Sequence, residues 1–75
     1  MILPTKHINT RHSLLGSGAT ILQSLEQEKT VNALWQVAKL EPNIGTYSRY
    51  VLTLDFLFCI GAIEIQNGLI TKRKS

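Results

Sequence analysis

The chain has few of the features that usually stabilise a small domain. It has one cysteine, Cys59, so no disulfide can form within it. Its two histidines, His7 and His12, do not stand in a metal-ligand spacing with that cysteine, so we expect no metal site. A chain of 75 residues buries only about 60% of its unfolded surface. Without these supports, small domains usually depend on a partner.

Charge and long apolar runs are also scarce. Charged residues make up 17% of the chain, against roughly 25% in an average soluble domain. No apolar run approaches the ~18 residues that would cross a bilayer, and the start of the sequence lacks the basic residues and apolar stretch of a signal peptide. We therefore expect a cytoplasmic protein that makes no membrane contact.

Catalytic motifs are missing as well. The segment Gly16-Ser17-Gly18 lacks the Lys-Ser/Thr of a phosphate-binding loop, and its glycines indicate close helix packing instead. The acidic residues are scattered, so no two of them are placed to act as a general acid and a general base. We expect a protein that is not an enzyme, with no catalytic residues and no cofactor.

Capping residues and glycines divide the chain into elements. Pro4 and the lack of a helical period predict an extended arm over residues 1–12. Ser13 is predicted to cap the first helix, Thr30 a second that ends near Leu40, and Thr46 a third from residue 47 to residue 60. Gly61 would end the third helix.

The pair Asn67-Gly68 predicts a type I′ turn between two short strands. Three helices followed by a β-hairpin indicate an α+β fold, a small winged helix-turn-helix domain. We assign residues 1–12 to the arm, 13–72 to the winged-helix domain and 73–75 to a basic tail.

The third helix is apolar on both sides. At 100° per residue its predicted core face contains Tyr47, Tyr50, Val51, Leu54, Leu57 and Phe58. Spacing of four residues places Leu52, Phe56 and Ile60 on the other side, which we name the predicted ridge, and Arg49 lies on that side too. A helix that reads DNA bases would be polar there, so the predicted ridge favours protein contact. Alternatively, the arm folds back and covers it.

Basic residues lie near both ends of the chain, which has a net charge of +3. Lys6, His7 and Ile8 in the arm are candidates for a second protein contact. The candidates for contact with nucleic acid are Arg11, Lys72, Arg73 and Lys74.

Several segments resemble one known family over nearly the whole chain. They are Leu3-Pro4-Thr5-Lys6-His7-Ile8, Ser13-Leu14-Leu15-Gly16 with Gly18-Ala19, Val31 with Leu34-Trp35, and Leu54-Asp55-Phe56-Leu57-Phe58 leading to Gly61-Ala62-Ile63 and Gly68. The sequence is similar to the middle component 6 family of bacterial ABC-three-component systems. The first and last of these segments are the most specific.

The resemblance implies a small subunit between an SMC/Rad50-like ABC ATPase and an effector, in systems that act against phages and plasmids. We therefore expect a non-catalytic adaptor whose partners are the ATPase subunit and the effector subunit. Two alternatives stay open: a winged-helix regulator that binds DNA, and a homodimer that buries the predicted ridge against its copy.

Overall fold

In the computed structural model, the backbone is described for residues 4–73 and the side chains for residues 14–73. Within this part the chain is a small α+β domain with three helices and a three-stranded antiparallel sheet. The elements in order are α1 (Pro4–Ser24), β1 (Lys29–Thr30), α2 (Val31–Ala38), α3 (Tyr47–Cys59), β2 (Ile63–Gln66) and β3 (Leu69–Lys72).

Helix α1 corrects the prediction for the start of the chain. It begins at Pro4, so the extended conformation predicted for the arm is wrong for residues 4–12, and Ser13 lies inside the helix rather than capping it. Proline fits the first helical turn, because its missing N–H would have no intrahelical acceptor there. Extending an existing helix avoids the cost of nucleating a new one, which favours continuing α1 back to Pro4. Residues 1–3 lie outside the described part.

The caps of α2 and α3 confirm their predicted starts. The Thr30 hydroxyl accepts a hydrogen bond from Ala33 N at 3.0 Å, and the Thr46 hydroxyl accepts one from Arg49 N at 3.2 Å. Each satisfies an amide that the first helical turn leaves without a partner. Helix α2 ends at Ala38, two residues before the predicted end.

Gly61 ends α3 as predicted. With φ at +76° it adopts the left-handed conformation. Gly61 N then donates to Phe58 O at 3.1 Å and Ala62 N to Leu57 O at 2.8 Å, the two bonds of a Schellman motif. This turn sends the chain from α3 directly into β2.

The hairpin is formed by β2 and β3, with Gln66 opposite Leu69. Asn67 and Gly68 have φ values of 54° and 77°, as a type I′ turn requires. The sheet order is β1-β3-β2, because Lys29 and Thr30 pair with the edge of β3 that faces away from β2. This third strand was not predicted.

The core lies between the helices and the inner face of the sheet. Its fully or nearly fully buried apolar side chains are Ile21, Leu25, Leu34, Ala38, Ile44, Tyr50, Leu57, Ile63 and Ile70. Every helix and both strands of the hairpin contribute to it, so α3 is held from α1, α2 and β2 at once. That fixes which side of α3 faces outward.

Candidate protein-interaction face

The inner side of α3 is set by three residues, Tyr50, Thr53 and Leu57, which are at most 2% exposed. Thr53 was not part of the predicted core face. Its hydroxyl donates to Arg49 O at 2.7 Å, one turn back in the helix. Because that bond satisfies the hydroxyl, threonine can occupy the core without a desolvated, unpaired group. The helix is consequently rotated relative to the sequence-based assignment.

The rotation breaks up the predicted ridge. Leu52 and Ile60 are 47% and 60% exposed, but Phe56 is half-buried and packs against the core. A Cβ built on Gly18 of α1 would lie 3.7 Å from Phe56 Cε2, so this ring covers the α1–α3 contact. A continuous three-residue ridge is therefore wrong.

The same rotation exposes residues that were assigned to the core. Tyr47, Val51 and Phe58 are 54%, 38% and 56% exposed. The expectation that α3 presents a large apolar surface to solvent is confirmed, but with different members. Isolated exposed apolar side chains are common, whereas several on one helix face mark a contact surface.

One carboxylate lies at the centre of this surface. Asp55 is exposed, and its helical neighbours three and four residues away are Val51, Leu52, Phe58 and Cys59, all exposed as well. Residues at these spacings are direct neighbours on a helix surface. We name these five residues the Asp55 patch. The only ion pair among the described side chains joins Glu64 to Arg73 at 3.8 Å, so Asp55 has no base of its own there.

An aromatic cluster supports the α2 side of the patch. Trp35 packs against Tyr47 and Tyr50 with ring centroids 5.2 Å away in each case, and it lies at the margin of the core. The Tyr50 hydroxyl donates to Val31 O at 2.6 Å. Burial, and secondarily the nearby Tyr47, raises the pKa of Tyr50 to about 12. The cluster locks the first turn of α3 onto α2.

Arg49 was predicted as an interface residue, and the structure places its guanidinium inside a local network. Its Nε donates to Asn43 O at 3.0 Å, and the Ser17 hydroxyl donates to the same carbonyl at 2.9 Å. Asn43 Nδ2 in turn donates to Thr20 Oγ1 at 2.9 Å. The turn before α3 is thereby tied to both α1 and α3.

We expect Arg49→Ala to lower the free energy of unfolding by about 1.5–3 kcal/mol, because it removes a charged hydrogen bond to Asn43 O. Urea titration followed by circular dichroism measures this. Lys39→Ala, which changes an exposed cation just after α2, is the matched control and should shift stability by less than about 0.5 kcal/mol. Equal stability of the two variants would contradict a structural role for Arg49.

The other predicted contact residues are spread over the domain. Lys6, His7, Ile8 and Arg11 lie on the first half of α1, where only the backbone is described, and Lys74 lies outside the described residues. Lys72 and Arg73 are exposed at the end of β3, and Arg73 is close to Glu64. Among the members of this set with described side chains, the structure brings together Lys72 and Arg73.

Other kinds of site are not evident in the described residues. An open cleft of about 380 Å³ between the end of α1 and β3 is lined by Leu25, Glu26, Glu28, Thr71, Lys72 and Arg73. Across residues 14–73, no group of three or more His, Cys, Asp or Glu side chains could hold a metal ion. No helix in the described part combines the length and the apolar character that crossing a membrane would need.

Comparison with known proteins identifies the family of the chain, although no curated protein and no solved structure matches it. A family model does match, and its description is ABC-three component (ABC-3C) system Middle Component 6. It covers residues 3–73 of the 75-residue chain, which includes every helix and strand described above. The chain therefore belongs to the Middle Component 6 family of ABC-three-component systems.

Proposed function

We propose that this middle component is a non-catalytic winged-helix adaptor that docks another subunit of its system on the outer face of α3. The observation that carries the proposal is the Asp55 patch, with Tyr47 exposed one turn before Val51. Burying each large apolar side chain there would contribute about 1.5–3 kcal/mol to binding.

The topology supports the winged-helix part of the proposal. The order α1-β1-α2-α3-β2-β3, with β3 between β1 and β2 in the sheet, is typical of winged-helix domains. The β2–β3 hairpin would be the wing. In DNA-binding members of this class the third helix lies in the major groove and presents polar and basic side chains.

The side chains of α3 argue against DNA binding by this helix. Its outer face is apolar around a single carboxylate, which would repel phosphate, and its one cation, Arg49, is hydrogen-bonded to Asn43 O. The position that reads DNA in other winged helices is thus suited to protein contact.

Membership of the family suggests the partners. Membership of a three-component system implies two further components, which we take to be an ABC ATPase and an effector. We propose that the domain links the two in the cytoplasm, without a cofactor of its own, in a system that acts against phages or plasmids. The first half of α1, with Lys6, His7 and Ile8, is proposed as the second contact.

Co-purification of the full chain with its ATPase and effector tests the proposal. We expect Phe58→Glu to weaken the complex about 30-fold, because a large side chain in the centre of an interface typically contributes 2 kcal/mol or more. Phe58 is 56% exposed, so its replacement should leave the fold intact. Phe56→Glu is unsuitable, because Phe56 packs against the core.

Leu40→Glu is the matched control, since Leu40 is 76% exposed and lies beyond α2 rather than on α3. It should co-purify as the unchanged chain does. If Phe58→Glu retains both partners while keeping its circular dichroism spectrum, the outer face of α3 is not the docking site.

The exposed Lys72 and Arg73 favour a second candidate, a regulator that contacts DNA phosphates through the wing. In that case the isolated chain would bind a labelled duplex with an affinity that falls steeply with salt. The double variant Lys72→Ala, Arg73→Ala would then lose binding while Phe58→Glu kept it.

A further inference from the structure

Asp55 is the only charged residue on the outer face of α3, and it lies within the apolar surface rather than at its rim. Val51 and Leu52 precede it by one turn, and Phe58 and Cys59 follow it by one turn. All four are exposed, so any partner that covers them also covers the carboxylate. The occupant of the patch must therefore accommodate a negative charge.

The energetics restrict that occupant. Removing a carboxylate from water without a compensating partner is strongly unfavourable, whereas an opposite charge with hydrogen bonds can offset the loss. The described part of the chain supplies no base to Asp55, because its single ion pair joins Glu64 and Arg73. A base on the partner would meet this requirement.

We propose that the Asp55 patch binds a protein surface in which apolar side chains surround one lysine or arginine, and that this base pairs with Asp55. The inference rests on the proposed docking function of α3 and adds the chemistry of the partner. Because a misplaced base would leave two buried charges unpaired, the pair also sets the register of the complex.

Other occupants would respond to Asp55 in the opposite direction. In a symmetric dimer centred on the patch, the same face is presented twice, so two Asp55 carboxylates approach each other. DNA would bring phosphates towards the carboxylate. Neutralising Asp55 would strengthen binding in both cases, whereas it weakens binding to a basic protein surface.

The test uses the full chain and whichever subunit, ATPase or effector, it co-purifies with. Isothermal titration calorimetry is run on Asp55→Asn and Asp55→Arg, with Glu28→Arg as the control for the change in net charge. We expect affinity to fall about 10-fold for Asp55→Asn and at least about 30-fold for Asp55→Arg, because truncated charge pairs in interfaces have effects of this size. The control should bind unchanged.

Charge reversal identifies the partner base. Lysine and arginine residues of the partner subunit are changed singly to glutamate, and one of these variants should recover at least about 10-fold of the affinity lost by Asp55→Arg. Equal or tighter binding by Asp55→Asn, or the absence of any restoring reversal, would overturn the proposed charge pair.

Phe58→Glu separates this inference from the docking proposal. If Phe58→Glu loses the partner and Asp55→Arg keeps it, the face docks a partner without the charge pair. If both variants keep the partner, the docking site itself is wrong and the inference fails with it. Sedimentation of the isolated chain and of Asp55→Asn adds the remaining result: a dimer strengthened by Asp55→Asn would assign the patch to self-association.

Discussion

Tyr50→Ala should remove a large part of the free energy of unfolding of the domain. Tyr50 is fully buried and contacts the ring of Trp35 at a centroid distance of 5.2 Å. Truncating a buried aromatic side chain to alanine costs about 3–5 kcal/mol, because the contacts are lost and the cavity closes only partly. A domain of this size has roughly 4–11 kcal/mol in total. Urea unfolding followed by circular dichroism would show either no transition or one at far lower urea.

Tyr50→Phe separates the ring from its hydroxyl. It keeps the aromatic packing and removes the 2.6 Å hydrogen bond to Val31 O, so the expected loss is about 0.5–1.5 kcal/mol. Tyr47→Phe is the matched control, because Tyr47 is 54% exposed and belongs to the same aromatic cluster. A Tyr50→Ala variant as stable as Tyr50→Phe would contradict the assigned role of the ring.

The same residue gives stability a dependence on alkaline pH. Folding raises the pKa of Tyr50 from 10.0 to about 12, chiefly through burial. Between these values the folded protein holds the phenolic proton and the unfolded chain releases it, so the contribution of Tyr50 is present below pH 10 and declines as pH rises towards 12. Tyr50→Phe should show a smaller fall in stability over this interval than Tyr47→Phe.

Local signals made much of the fold predictable from the sequence. Thr30 and Thr46 cap their helices through their own side chains, Gly61 ends α3, and Asn67-Gly68 turns the hairpin. Each of these features depends on residues within a few positions, so the sequence contains the whole cause.

Features that depend on distant contacts were not predictable in the same way. Strand β1 has two residues, and it exists because Lys29 and Thr30 pair with β3 about forty residues later. In α1 the apolar side chain of Ile21 is fully buried, whereas that of Leu15 is 53% exposed. The neighbours that select this face come from α2 and α3.

The orientation of α3 shows the same limit most clearly. A helix with apolar residues all round has no dominant face, so periodicity alone does not say which side is buried. Thr53 is polar and was not included in the predicted core face, yet its bond to Arg49 O allows it to lie in the core. The presence of an exposed apolar face could therefore be predicted from composition, whereas its members, and Asp55 at their centre, required the packed structure.

Gly18→Leu should separate α1 from α3 and lower stability by about 3 kcal/mol, at the upper end of the usual cost of overpacking. Gly18 is buried, and a single Cβ built on it would already lie 3.0 Å from Leu57 Cδ2 and 3.7 Å from Phe56 Cε2. Leucine adds three further carbons to that space. Helix propensity opposes the loss by no more than about 1 kcal/mol.

Gly16→Leu is the matched control, two residues earlier in α1. Gly16 is exposed, and a Cβ there would meet only Asn43 Nδ2, at an ordinary contact distance of 3.9 Å. Since the substitution improves helix propensity without a clash, it should leave stability unchanged or raise it by up to about 1 kcal/mol. Thermal unfolding of the two variants measures the difference. Because Phe56 and Leu57 immediately precede Phe58 in α3, the separation caused by Gly18→Leu should also displace the Asp55 patch. This variant should therefore lose its partner subunit, whereas Gly16→Leu should keep it. Equal thermal stability of the two would show that α1 does not pack closely against α3 at Gly18.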